Sequence, residues 1–89
     1  MKYNMYSVKD LMTGKYMNPM FTEAEEHSDS LAIRQFKSNL NNIKLWKDNP
    51  NDFELWLVGS FDDEAGCEAV VQTKICSGRS VLDAGKNEI

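Results

Sequence analysis

The sequence predicts an α+β fold of order ββαββ: a four-stranded antiparallel sheet with one helix packed on one face. Three observations carry this reading. Phe53, Leu55, Leu57 and Phe61 recur at period two, with Gly59 between the last pair, which is the spacing of one face of a strand. Ala32, Ile33, Phe36, Leu40 and Ile43 fall within about 100° of one another on a helical wheel. Asp10 to Gly14 and Asp62 to Gly66 share one Asp-to-Gly spacing. In both, the Asp side chain can accept from backbone N–H groups just ahead and the Gly can take positive φ, so each reads as a hairpin turn.

The elements follow in order. Lys2 to Lys9 is the first strand, because Tyr3, Tyr6 and Val8 suit a pleated, half-buried position. Tyr3 and Met5 point to one face and Tyr6 and Val8 to the other, so either face has apolar groups to offer the helix. Lys15 to Phe21 is the returning strand. Pro19 has no N–H to donate, which makes that strand short, broken or an edge. The helix begins with Ser28 as N-cap and Asp29 in the first turn, and Thr22 with Glu25 is a rival start through a capping box. Asn39, Asn41 and Asn42 weaken its last turns. Lys44 and Lys47 suit its C-terminal end, and Asp48-Asn49-Pro50-Asn51 stops it. Phe53 to Phe61 is the third strand. Its second face, with Glu54, Trp56, Val58, Ser60 and Asp62, is partly apolar, which suits a central position. The fourth strand starts at Cys67 and runs to about Thr73 through Val70 and Val71. Ile75 to Arg79 reads as a loop or ragged extension, and Ser80 to Ala84 as one helical turn. Residues 1–84 make a single domain, with 85–89 as a disordered tail.

The chain has 89 residues and a formal net charge of −4. An acidic balance argues against general affinity for nucleic acid, which rests on Lys and Arg contacts to phosphate. The charge is uneven, however. Residues 30 to 47 hold Arg34, Lys37, Lys44 and Lys47 and no acid, while acids gather at Glu23, Glu25, Glu26 and Asp29 and again at Asp62, Asp63, Glu64 and Glu68. The first residues lack the roughly 7–15-residue apolar run of a signal peptide, and no stretch approaches the ~20 apolar residues of a membrane span. Cys67 and Cys76 are therefore expected as reduced thiols in a cytoplasm.

No motif points to catalysis, a cofactor or a metal. Asp62, Asp63 and Glu64 are consecutive in a turn and do not converge as cation ligands would. His27 is the single histidine, with only sequence neighbours for company, which is not a triad. Neither cysteine sits in a Cys-x-x-Cys pair, and the glycines form no phosphate loop. The chain reads as a non-enzymatic binding protein. Arg34, Lys37 and Lys44 share one helix flank over roughly 80° of the wheel. That flank is either a solvated surface balancing nearby acids or a contact for an acidic partner or single-stranded DNA, with Trp46 or Trp56 stacking on bases. One helix cannot cover both faces of four strands. The face bearing Trp56 and Val58 is expected to be a homodimer interface, unless Ile75 to Leu82 folds back with Val81 and Leu82 against Trp56.

Several stretches carry a family resemblance: Tyr6-Ser7-Val8-Lys9-Asp10, Asn18-Pro19-Met20-Phe21, Ala32-Ile33-Arg34-Gln35-Phe36, Asn49-Pro50-Asn51-Asp52-Phe53 and Gly59-Ser60-Phe61-Asp62-Asp63-Glu64-Ala65-Gly66. In their order and spacing these resemble the small non-structural protein of gokushoviruses, single-stranded DNA phages of the Microviridae. The resemblance covers about residues 3 to 70. Glu25-Glu26-His27 adds length before the helix, the link through Asn39 to Trp46 is longer than in the family, and the match fades after Thr73. The resemblance implies a viral protein of the host cell cytoplasm, absent from the virion, that helps control phage DNA synthesis or its switch to packaging. It would do so through contacts with a phage or host replication or assembly protein.

Overall fold

The computed structural model of the chain describes residues 1–86. Its strands are β1 (Lys2–Asp10), β2 (Lys15–Tyr16), β3 (Met20–Glu23), β4 (Phe53–Asp62), β5 (Gly66–Glu68) and β6 (Thr73–Ser77), and its helices are α1 (Ser28–Asn42), α2 (Lys44–Asp48) and α3 (Gly78–Lys86). The class is α+β, as the sequence predicts, but the antiparallel sheet has six strands rather than four. They lie in four rows. β1 and β4 pair at the centre, β2 and β3 both pair with β1, and β5 and β6 both pair with β4. Each outer row is one returning strand broken in two. The first break falls just before and at Pro19, which cannot donate to the ladder. The second break corrects the fourth strand, which does not run from Cys67 to Thr73: Val71 stands 87% exposed in the connection. Of the two readings of Ile75 to Arg79, loop or ragged strand extension, Ile75 to Ser77 follow the second, as part of β6 paired with β4, while Gly78 and Arg79 open α3.

Both turns form by the chemistry their residues predict. The Asp10 carboxylate accepts from the Met12 N–H at 2.9 Å and the Asp62 carboxylate from the Glu64 N–H at 2.9 Å. Gly14 and Gly66 then turn the chain at φ +72° and +87°, where a side chain would be strained.

The helices lie on one side of the sheet. Ala32, Phe36 and Leu40 of α1 are fully buried, against Tyr6 and Val8 of β1 and Phe53 and Leu55 of β4. The apolar stripe does not continue to Ile43. There the backbone leaves the helix (φ −97°, ψ 112°) and the side chain is 40% exposed. This break lets α2 turn back and drive Trp46 into the core, where it stacks on Phe53 at 5.0 Å and lies 6.3 Å from Phe36. Val81 of α3 completes the same core. α3 is longer than the single turn expected and runs through Gly85 and Lys86. The tail expectation for residues 87–89 lies outside the described residues.

Ser28 is not the N-cap. His27 holds that position, and no side chain caps the helix. The Ser28 hydroxyl is buried and committed to the sheet: it meets the Tyr6 hydroxyl at 3.0 Å and accepts from the Asn4 amide at 2.8 Å. Nor does the rival start at Thr22 occur, because Thr22 lies in β3. The Tyr6 hydroxyl also donates to the Asp29 carboxylate. Burial raises the Tyr6 pKa, and the Asp29 carboxylate, which would repel a phenolate, adds to the shift. Folding thus favours the neutral phenol, a contribution present below the usual tyrosine pKa of about 10 and lost as pH rises through the higher folded value. In an ultraviolet titration Tyr6 should ionise above the usual tyrosine range, and Tyr6→Phe should remove that late step. A titration curve left unchanged by Tyr6→Phe above the usual tyrosine pKa would contradict this.

Candidate functional site

In an antiparallel pair, directly opposed residues share a face. The pairs Tyr6 with Leu57 and Val8 with Leu55 lie under the helices, and Ser7 with Trp56 and Lys9 with Glu54 lie on the other side. Between Met5 and Tyr6 the register shifts: Tyr6 opposes Leu57 but Met5 opposes Gly59, leaving Val58 as the extra residue. A bulge of this kind resets the alternation of the longer strand. Phe61 therefore opposes Tyr3 and emerges on the helix-free face, not on the face of Phe53, Leu55 and Leu57 where its spacing places it. Val58 is half-buried within the bulge.

The helix-free face carries two aromatic groups. At one end the rings of Tyr3 and Phe21 each lie 6.2 Å from that of Phe61. With Asp63 and Cys67 they line an open cavity of about 480 Å³, and Phe21 is 54% exposed. At the other end Tyr16 meets Trp56 edge-on at 6.4 Å, and the Lys9 ammonium lies 5.5 Å from the centre of each ring, within cation–π range. The Trp56 indole N–H donates to Glu54 at 3.1 Å, and Lys74 pairs with the other Glu54 oxygen at 3.0 Å. Burial raises the Glu54 pKa, but the Lys74 ammonium and the Trp56 N–H outweigh it and hold the carboxyl below its ordinary value. Trp56 thus faces away from the helices, as its strand position implies, yet it is half-buried among its own neighbours. The C-terminal segment does not cover it, since Val81 is spent on the opposite side of the sheet.

Of the basic residues singled out by sequence, Arg34 and Lys37 lie on α1, while Lys44 falls beyond the break at Ile43 and begins α2. The three do not form one continuous flank. Lys44 is engaged by Asp48 of its own helix at 2.6 Å. Lys37 instead meets Lys47 and Arg79 around a second cavity of about 500 Å³, lined also by Asn41, Asp48, Pro50 and Leu82. Sequence reasoning passed over Tyr3, Tyr16 and Phe21 as surface residues, and over Lys47 and Arg79 as neighbours of Lys37. The alternation Tyr3, Met5 along β1 was the available signal for the first group. For the second there was none, because its members meet only through helix packing.

Cys67 is exposed and Cys76 half-buried, and they are not bridged. Burial pushes the Cys76 thiol up to about 11, against a smaller opposing pull from Lys74, so it is a poor nucleophile. Among the described residues no group of His, Cys, Asp and Glu is placed to hold a metal ion, and no helix is long and apolar enough to cross a membrane.

No curated protein and no solved structure shows significant similarity to the chain. One family does match, over residues 3–81, a span from β1 into α3 that includes both aromatic groups of the helix-free face and all three cations of the second cavity. The chain is a phage protein and belongs to the Phage ORF5 protein family.

Proposed function

We propose that the chain is a non-enzymatic regulatory protein of a gokushovirus that helps control phage DNA synthesis or its switch to packaging. It acts through protein contacts in the host cytoplasm, as a homodimer joined by the helix-free face of its sheet. The observation that supports this reading is the aromatic end of that face, Tyr3, Phe21 and Phe61 around an open apolar cavity. Contiguous exposed apolar surface on a small domain marks a contact site, and aromatic rings contribute most where they are buried against a partner. A face within extents of 41 × 32 Å has room for the roughly 800 Å² per subunit of a standard interface.

Sedimentation at micromolar concentration tests this reading. Wild type should run as a dimer and Phe21→Glu as a folded monomer, with Trp56→Glu weakening the dimer as well. In infected cells, supplying wild-type protein should change the ratio of duplex to single-stranded phage DNA, and Phe21→Glu should not. A monomeric wild type, or a dimer indifferent to both substitutions, overturns the interface.

A further inference from the structure

On the opposite side of the molecule, the cleft where α1, α2 and α3 meet brings three cations together. Lys37 comes from α1, Lys47 from α2 and Arg79 from α3. Like charges around one concavity repel each other, which an anion among them would relieve. The one acid of the lining, Asp48, has its carboxylate taken by Lys44 at 2.6 Å. No ion pair holds Lys37 or Lys47 among the described residues. Arg79 is oriented without being neutralised. Its Nε donates to the Asn51 side-chain oxygen at 3.2 Å, while its approach to Asp83 is a loose 4.0 Å between half-exposed groups, which is worth little. The backbone beneath it is fixed, because Gly78 packs directly on the Pro50 carbonyl.

We propose that this cleft is a phosphate-binding site, in which Lys37, Lys47 and the free edge of the Arg79 guanidinium hold the anion. A planar guanidinium held at one nitrogen presents its remaining N–H groups in the fork that phosphate oxygens match. The cavity, about 500 Å³, is the size of a nucleotide site, and Pro50 and Leu82 give it an apolar wall for the sugar or base that a phosphate ester carries. Arg34 lies one turn before Lys37 on α1, about 4.5 Å along the axis, so the cationic row continues beyond the cleft. That continuation favours a nucleic-acid strand, whose next phosphate would meet Arg34, over a free nucleotide. The site is separate from the helix-free sheet face, and its failure would leave the dimer reading standing.

The test is fluorescence anisotropy of a fluorescein-labelled twelve-residue oligothymidylate over a series of KCl concentrations, with thymidine monophosphate and inorganic phosphate as competitors. Three phosphate contacts predict a log–log salt slope near −2 on a single strand. Lys47→Gln and Arg79→Gln should each lower that slope by about 0.7 and weaken binding severalfold, with an unchanged circular dichroism spectrum. Lys15→Gln, on the distant β1–β2 hairpin, should stay within twofold of wild type. Displacement by the monophosphate at concentrations where inorganic phosphate is inert would show that the base or sugar is read. Saturable monophosphate binding without oligonucleotide binding would support the site and assign its source to free nucleotide. If none of the three probes binds at low salt, or if Lys47→Gln and Arg79→Gln bind as wild type, the proposal is wrong. Lys47 is exposed on a short helix, so its replacement tests the site even if Arg79→Gln disturbs the fold.

Discussion

Phe36→Ala is expected to cost about 3–5 kcal/mol of folding stability. Phe36 is fully buried at the centre of the α1 stripe, with Ala32 and Leu40 one turn away on either side and Trp46 against it. The rings around it are themselves fixed, Trp46 by stacking on Phe53 and Tyr6 by its hydrogen bonds to Ser28 and Asp29. The site therefore has little room to collapse, and most of the removed ring becomes cavity. For a domain whose total stability is of the order of 5–15 kcal/mol, the variant should lose a large share of it. Urea unfolding measures this directly. A loss under ~1 kcal/mol would mean that α1 presents a different face to the sheet.

Gly78→Ala is expected to be damaging for the opposite reason. A Cβ at this position would lie 2.4 Å from the Pro50 carbonyl oxygen and 3.0 Å from Leu40 Cδ2. The first of these is backbone, so it cannot swing aside, and either α3 or the turn at Pro50 must move. Overpacking of this kind costs about 1–3 kcal/mol, and here it acts where α3 docks. Val81, three residues on, would be drawn out of the core, and Arg79 would shift away from Asn51. Backbone amide shifts should change along α3 and around Pro50 while the β1–β4 pairing stays as it was. A variant as stable as wild type would show that α3 can sit further from α1 without loss.

These two residues differ in how far the sequence reveals them. Phe36 is legible because helical period and burial coincide: Ala32, Phe36 and Leu40 follow one another at the same spacing, and one amphipathic face needs one partner. The hairpin turns are legible because their chemistry is local, an Asp accepting from the next N–H groups and a Gly taking the positive φ. Gly78 is not legible, since nothing near it in sequence says that Pro50 will lie against it. Phe61 is misread for a related reason. Period two holds only while the strand stays in register, and the extra residue at Val58 arises from pairing with β1 rather than from any property of β4 alone. β6 is left open between a loop and a ragged strand extension, because Thr73 to Ser77 is short and runs straight into Gly78. The edge of β4 supplies the partner that makes it a strand.

The candidate surfaces divide in the same way. Composition and order alone determined an acidic α+β domain, a basic stretch around α1 and a sheet face that one helix would leave open. The local signals also fixed both turns and the core stripe of α1 from Ala32 to Leu40. Tertiary structure decided which side chains share a surface. The Val58 bulge carried Phe61 round to Tyr3 and Phe21, and the break at Ile43 separated Lys44 from Lys37. The docking of α3 then set Arg79 beside Lys37 and Lys47. The physical reason is range. Periodicity and turn chemistry act over a few residues, whereas register shifts, helix breaks and docking are settled by contacts between segments far apart in the chain, whose gain outweighs the local preference at each end.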